Sequence, residues 1–159
     1  MYKFITIIFI AILGIVFSNN VQAEKAKIYS ISPERIAEYI DKTAGQKRVL
    51  YIHTSWCPYC RKKMPDIMDI ERKRKGSIIA VSVDENPKKY ISYAKSLKQV
   101  PFPLILNKGN EGYLMKVLSK YNIKKWSGYP TMIFLDDKGM AVRQGNFTVQ
   151  QAAQYIMSD

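Results

Sequence analysis

Of 159 residues, only two are cysteine and one is histidine. A closed zinc site takes about four nitrogen or sulfur ligands, and these side chains are too few to furnish one. Acidic residues are also scarce, 13 Asp and Glu against 25 Lys and Arg, which leaves a formal net charge of +12. That balance favours anionic surfaces or acidic partners. It does not indicate nucleic acid, because the basic residues after Lys3 are spread from Lys25 to Arg143 with one cluster at ERKRK (71–75), and no nucleic-acid-binding motif accompanies them. No repeat, low-complexity tract or linker interrupts the chain. The seven methionines are scattered, which suits core filling rather than a copper-binding stripe.

Long apolar runs are missing with one exception, at the start. MYKFITIIFIAILGIVFSNNVQA carries one early cation, Lys3, then an uncharged run from Phe4 to Phe17, then a polar stretch ending in Val21-Gln22-Ala23. This is the layout of a secretory signal peptide cleaved after Ala23. The run is shorter than the roughly 20 apolar residues that span a bilayer, so an uncleaved membrane anchor is the alternative. The expectation is export to a periplasmic space. Residues 24–159 then form one domain, large enough for a single hydrophobic core.

Strand and helix patterns alternate along that domain. Ser32-Pro33 opens a short helix through Ile36, Ala37, Tyr39 and Ile40, before Gly45. RVLYIHT (48–54) reads as a central strand. A helix is expected from about Cys57 towards Lys75, with Met64, Ile67 and Met68 on one face and Gly76 as its stop. SIIAVSV (77–83) is a second buried strand, Asp84 to Lys98 a loop and helix, and PFPLIL (101–106) a third strand whose prolines confine its start to an edge or entry position. Glu111 to Tyr121 has helical spacing. TMIFLD and MAVRQGN flank Asp137-Lys138-Gly139 as a hairpin, and Thr148 caps a last helix. The order predicts an α/β sandwich with a mixed sheet.

Both cysteines fall in WCPYC (56–60), directly after the expected central strand and in the first turn of a helix. Unpaired amides and the positive helix dipole favour a thiolate there, so Cys57 is expected to be the more acidic and more exposed thiol, with Cys60 shielded one turn later. Pro58 suits the first turn because its missing N–H would have no helical partner. The spacing lets the sulfurs close a small ring, which suits disulfide exchange. Two other classes remain open: a Cu(I)-binding module using Cys57, Cys60 and His53, and an interaction domain with a fixed disulfide.

With WCPYC placed, the chain resembles the thioredoxin superfamily, and more narrowly the exported TlpA/ResA-like thiol–disulfide oxidoreductases. The resemblance rests on WCPYC after a strand, Pro65 five residues beyond Cys60, the segment IAVSVDENPKKYISYAKSLKQVPFPLIL, and YNIKKWSGYPTMIFLDDKG. It covers roughly residues 30–157. It implies a three-layer α/β/α sandwich with a mixed central sheet and an inserted strand-helix segment. Cys57 and Cys60 are then catalytic, Pro130 is a cis-proline, and Trp56, Pro58, Tyr59 and Tyr129 contact substrate. No cofactor is required. The partners implied are cysteine-containing exported proteins and a membrane or periplasmic electron donor. A reductase role, for example in cytochrome c or oxidase maturation, is favoured over a disulfide oxidase or isomerase.

The departures bear on proton transfer. Many thioredoxins carry a buried acid six residues before the first cysteine, where this chain has Tyr51, and some ResA-like proteins carry a glutamate three residues after the second, where it has Lys63. The proton acceptor for Cys60 is therefore left unassigned. His53 is expected to be a packed, hydrogen-bonded core residue on the same strand face as Tyr51, with tuning of the thiol pKa values by His53 and Lys63 as the functional reading. Trp126 and the lysines before it read as surface of an enlarged loop near the site.

Overall fold

The computed structural model describes residues 26–158, and the expected signal peptide, residues 1–23, lies outside the described residues. In chain order the elements are β1 (Ile28–Ile31), α1 (Pro33–Lys42), β2 (Arg48–His53), α2 (Pro58–Lys73), β3 (Ile78–Ser82), α3 (Pro87–Ser96), β4 (Leu104–Asn107), α4 (Glu111–Leu118), β5 (Thr131–Leu135), β6 (Ala141–Gly145) and α5 (Val149–Met157). A single 3-10 turn, Ser119–Tyr121, follows α4. The strands form one sheet in the order β1-β4-β3-β2-β5-β6. The first four positions pair in parallel, and β5 and β6 are antiparallel to their neighbours. This is a thioredoxin-like mixed sheet with helices on both faces.

Period-two alternation sorts the core. Leu50 and Ile52 of β2 point to the face covered by α1 and α4, whereas Val49 and Tyr51 point to the face covered by α2, α3 and α5. Every residue of β2 is buried, so the strand that delivers the cysteines is anchored on both faces. Its first residue, Arg48, is wholly buried, and Nη1 donates 2.7 Å hydrogen bonds to the Ile40 carbonyl and Thr43 Oγ1. At the far end of α2 the buried Glu71 carboxylate accepts the amides of Gly76 and Ile78, at 2.6 and 2.9 Å, and so fixes the turn into β3.

Most expected elements are present with shifted ends. β4 begins at Leu104, just beyond Pro103, and lies between β1 and β3, so the prolines precede the ladder, where their missing N–H costs it nothing. In the β5–β6 hairpin Gly139 adopts φ of 86°, and Asp136 Oδ1 accepts the amides of Lys138 and Met140. Thr148 and Gln151 form a reciprocal capping box on α5. The strand that sequence patterning misses is β1. Its four residues have a half-exposed pattern, and it is held at the sheet edge by backbone pairing with β4.

Candidate active site

β2 ends at His53, a three-residue turn follows, and Cys57 becomes the N-cap of α2 with Pro58 in its first turn. The Cys57 sulfur accepts a hydrogen bond from the Cys60 amide at 3.1 Å, one of the amides that the helix itself leaves unpaired. Cys57 and Cys60 are joined as a disulfide, with Cα atoms 5.2 Å apart. Cys57 is 4% exposed and Cys60 is fully buried. Cys60 is shielded as expected, but Cys57 is buried as well and is not the exposed thiol that its helix-terminal position suggests. The exposed groups are its neighbours, Trp56 at 63% and Tyr59 at 71%.

Across from the disulfide lies the loop before β5, where the Tyr129–Pro130 peptide is cis. Trp56 and Tyr129 meet edge to face with ring centroids 5.7 Å apart, which ties this loop to the disulfide loop. Tyr129 is held from behind. Its hydroxyl donates to Glu111 Oε1 at 2.5 Å, and Trp126 Nε1 donates to the same oxygen at 2.6 Å. Burial and the Glu111 hydrogen bond push the Tyr129 pKa upward, so the phenol stays protonated and keeps donating. Trp126 is only 5% exposed, which corrects its reading as loop surface. An indole with a charged acceptor inside the fold no longer needs water. Along the outside of this loop runs a groove of about 380 Å³ that includes Tyr129, Pro130, Gln144 and Asn146.

Beneath the cysteines, Tyr51 occupies the position of the missing acid, and its hydroxyl donates to the Cys60 carbonyl at 3.1 Å. His53 stacks on Tyr51 with centroids 5.3 Å apart and packs against Tyr90 at 5.8 Å. It is packed as expected, but not hydrogen-bonded: both ring nitrogens are buried without a partner among the described residues. Burial lowers its pKa to about 4, against an opposing pull from Asp84, so at neutral pH the ring is uncharged. Lys63 does not stand free beside Cys60 either. Its ammonium donates to Asn146 Oδ1 and the Phe147 carbonyl, both at 2.8 Å, bridging α2 to the loop after β6.

Two carboxylates that sequence patterning passes over organise the site. Glu111 looks like an ordinary first-turn acid of α4, and Asp84 like the start of a loop. Asp84 is 6% exposed and accepts from the Ser55 amide at 2.7 Å, Ser55 Oγ at 2.5 Å and Ser82 Oγ at 2.6 Å. It pins the turn that carries Trp56 and Cys57 to the end of β3. Among the described residues, no three His, Cys, Asp or Glu side chains gather into a set that could hold a metal ion. No described helix is long and apolar enough to cross a membrane.

A family described as thioredoxin-like matches residues 45–141, a span that runs from before β2 to the start of β6 and contains both cysteines and the cis-proline. The chain belongs to the thioredoxin-like family. It is similar to sporulation thiol-disulfide oxidoreductase A of Bacillus subtilis (strain 168), 27% identical over 168 residues and covering 93% of each chain. Among solved structures it resembles StoA of Bacillus subtilis, with 28% identity, a TM-score of 0.51, and 70% of this chain aligned to 83% of that one. The exposed lipoprotein thioredoxin Etrx1 of Streptococcus pneumoniae strain TIGR4 shares the fold, with a TM-score of 0.59 and 21% identity over 74% of this chain and 87% of that one. Within the family, the chain groups with the TlpA/ResA-like proteins, and its disulfide at the head of α2 makes it a thiol–disulfide oxidoreductase.

Proposed function

We propose that this thiol–disulfide oxidoreductase is exported and works as a reductase of partner-protein disulfides. The observation that carries the reading is the Cys57–Cys60 disulfide at the N-terminus of α2, with the Cys60 amide donating to the Cys57 sulfur and the Tyr129–Pro130 loop alongside. In the reduced protein the same amide and the helix dipole stabilise a Cys57 thiolate. That thiolate attacks one sulfur of the partner's disulfide, the partner's S–S bond breaks, and the other partner sulfur leaves as a thiolate that takes up a proton. Cys60, deprotonated in turn, attacks the Cys57 sulfur and releases the second partner thiol. Two electrons pass to the partner, and the Cys57–Cys60 bond forms.

In this reading Trp56, Pro58, Tyr59, Tyr129 and Pro130 form the surface that meets the partner chain, which accords with the high exposure of Trp56 and Tyr59. Substrate cysteines that must be reduced before haem or copper attachment are the class proposed, with a membrane or periplasmic donor restoring the dithiol. His53 and Lys63 are proposed to tune the thiols from beneath and beside α2. Lys3 followed by the run of uncharged residues at positions 4–17 supports an exported location.

One observation favours a second reading, disulfide oxidation. Arg61, Lys62 and Lys63 follow Cys60 directly, with no acid in the first turn of α2, and cations stabilise thiolates and therefore the reduced form, which makes a couple more oxidising. Cys60→Ser separates the two, because it strands the mixed disulfide at Cys57. Partners captured with their cysteines awaiting reduction support the reductase. Capture of newly exported thiols, together with a potential near the oxidising end of the family range, overturns it.

A further inference from the structure

Beside the disulfide loop, on the side away from Tyr129, a cleft of about 390 Å³ opens between that loop and α3. α3 contributes Lys89, Ser92, Tyr93 and Ser96, spaced so that they share one helix face. The opposite wall is Trp56 and Arg61. No carboxylate lines the cleft. Arg61 is aimed by two contacts: Nε donates to the Ser55 carbonyl, and the guanidinium lies over the Tyr93 ring, 5.2 Å from its centroid. Its two terminal nitrogens are left without a partner among the described residues, and the exposed Lys89 has no ion pair there. The buried acid Asp84 is engaged by Ser55 and Ser82.

A preset guanidinium fork, the exposed Lys89 ammonium and the Ser92 hydroxyl around an aromatic floor make a receptor for a carboxylate, the Ser96 hydroxyl being already engaged by the Tyr93 carbonyl. The geometry points to a subsite in this cleft for an acidic side chain of the partner, two to four residues from the cysteine under attack. That reach follows from chain dimensions: at about 3.3 Å per residue, a partner strand whose cysteine sits at Cys57 passes Trp56 and arrives over the cleft within a few positions. The chain's net charge of +12 reinforces the preference at long range. The inference rests on the reading that Cys57 exchanges with partner cysteines, and it adds which partners exchange fastest.

The test uses reduced protein in single turnover, followed by tryptophan fluorescence, against peptides with one cysteine capped as its methyl disulfide. One set carries Glu, the other Gln, at positions two to four on either side. The expected result is a second-order rate about fivefold higher for the best-placed Glu peptide at low salt, the scale of exposed ion pairs, with the gap closing as salt is added. Lys89→Glu and Ser92→Glu, both on an exposed helix face, should abolish the preference, whereas Lys138→Glu at the distant hairpin should retain it. Equal rates for Glu and Gln peptides would overturn the subsite. So would a preference that survives both cleft variants or disappears in Lys138→Glu, because net charge would then explain it. Failure of both peptides to react would instead remove the exchange reading beneath it.

Discussion

Trp56 and Tyr129 meet edge to face, 5.7 Å apart and at 87°, and through this pair the redox loop and the cis-proline loop form one surface. The surface is held from behind by Glu111, whose single oxygen Oε1 accepts from both Tyr129 and Trp126. Glu111→Ala leaves both donors unpartnered and should cost about 1 to 3 kcal/mol of stability. Released from its anchor, Tyr129 should also bind partner chains less well, raising KM more than it lowers kcat. Glu111→Gln, which keeps an acceptor oxygen, should restore much of both. Denaturant unfolding with steady-state kinetics for the three proteins checks this, and a stability loss with unchanged KM would refute the positioning role.

The sulfurs are ranked by burial and by the helix end. With Cys57 capping α2 and Cys60 fully buried, alkylation of the reduced protein at mild pH should modify Cys57 well before Cys60. Cys57→Ser should abolish exchange, while Cys60→Ser should react once and stop as a mixed disulfide. Equal alkylation rates, or turnover by Cys57→Ser, would contradict the assignment.

His53 predicts how stability responds to acid. Its folded pKa of about 4 lies below the ordinary value of 6.5, so between those values the unfolded chain binds more protons. Stability from this residue is therefore complete above pH 6.5 and is lost as pH falls towards 4, by an amount on the order of 3 kcal/mol. His53→Phe keeps an aromatic ring between Tyr51 and Tyr90, removes two unpartnered nitrogens, and should flatten the decline. Urea unfolding at pH 7 and pH 4.5 measures it. An equal decline in both proteins would assign the acid sensitivity elsewhere.

Lys63 combines a mechanical and an electrostatic role. Lys63→Met loses the bridge to Asn146 and Phe147 and should cost about 1 kcal/mol, and Lys63→Glu, which sets a carboxylate against the Phe147 carbonyl, should cost more. Replacing the cation by an anion one turn from Cys60 should also raise the thiol pKa and make the couple more reducing in Glu than in Met. Glutathione equilibration at low salt compares them. Identical potentials would confine Lys63 to the bridge.

What the sequence by itself determined is what depends on neighbours along the chain. The run of β-formers in RVLYIHT specifies a buried strand, WCPYC after it puts a dithiol at a helix start, and Asp136 closes a tight hairpin by accepting the amides of Lys138 and Met140. Period and capping are local, so they are legible before folding. What tertiary structure alone decided is the pairing of polar groups between elements. Glu111 finds Trp126 and Tyr129 across 15 and 18 residues, and Asp84 finds Ser55 across 29. β1, too short to carry a pattern, exists because β4 offers it an edge. Arg61 faces Tyr93 only because α2 and α3 pack on the same face of the sheet. A lysine, a tryptophan or a glutamate has no period that announces its partner, and its role is set by whichever group the fold brings within hydrogen-bonding reach.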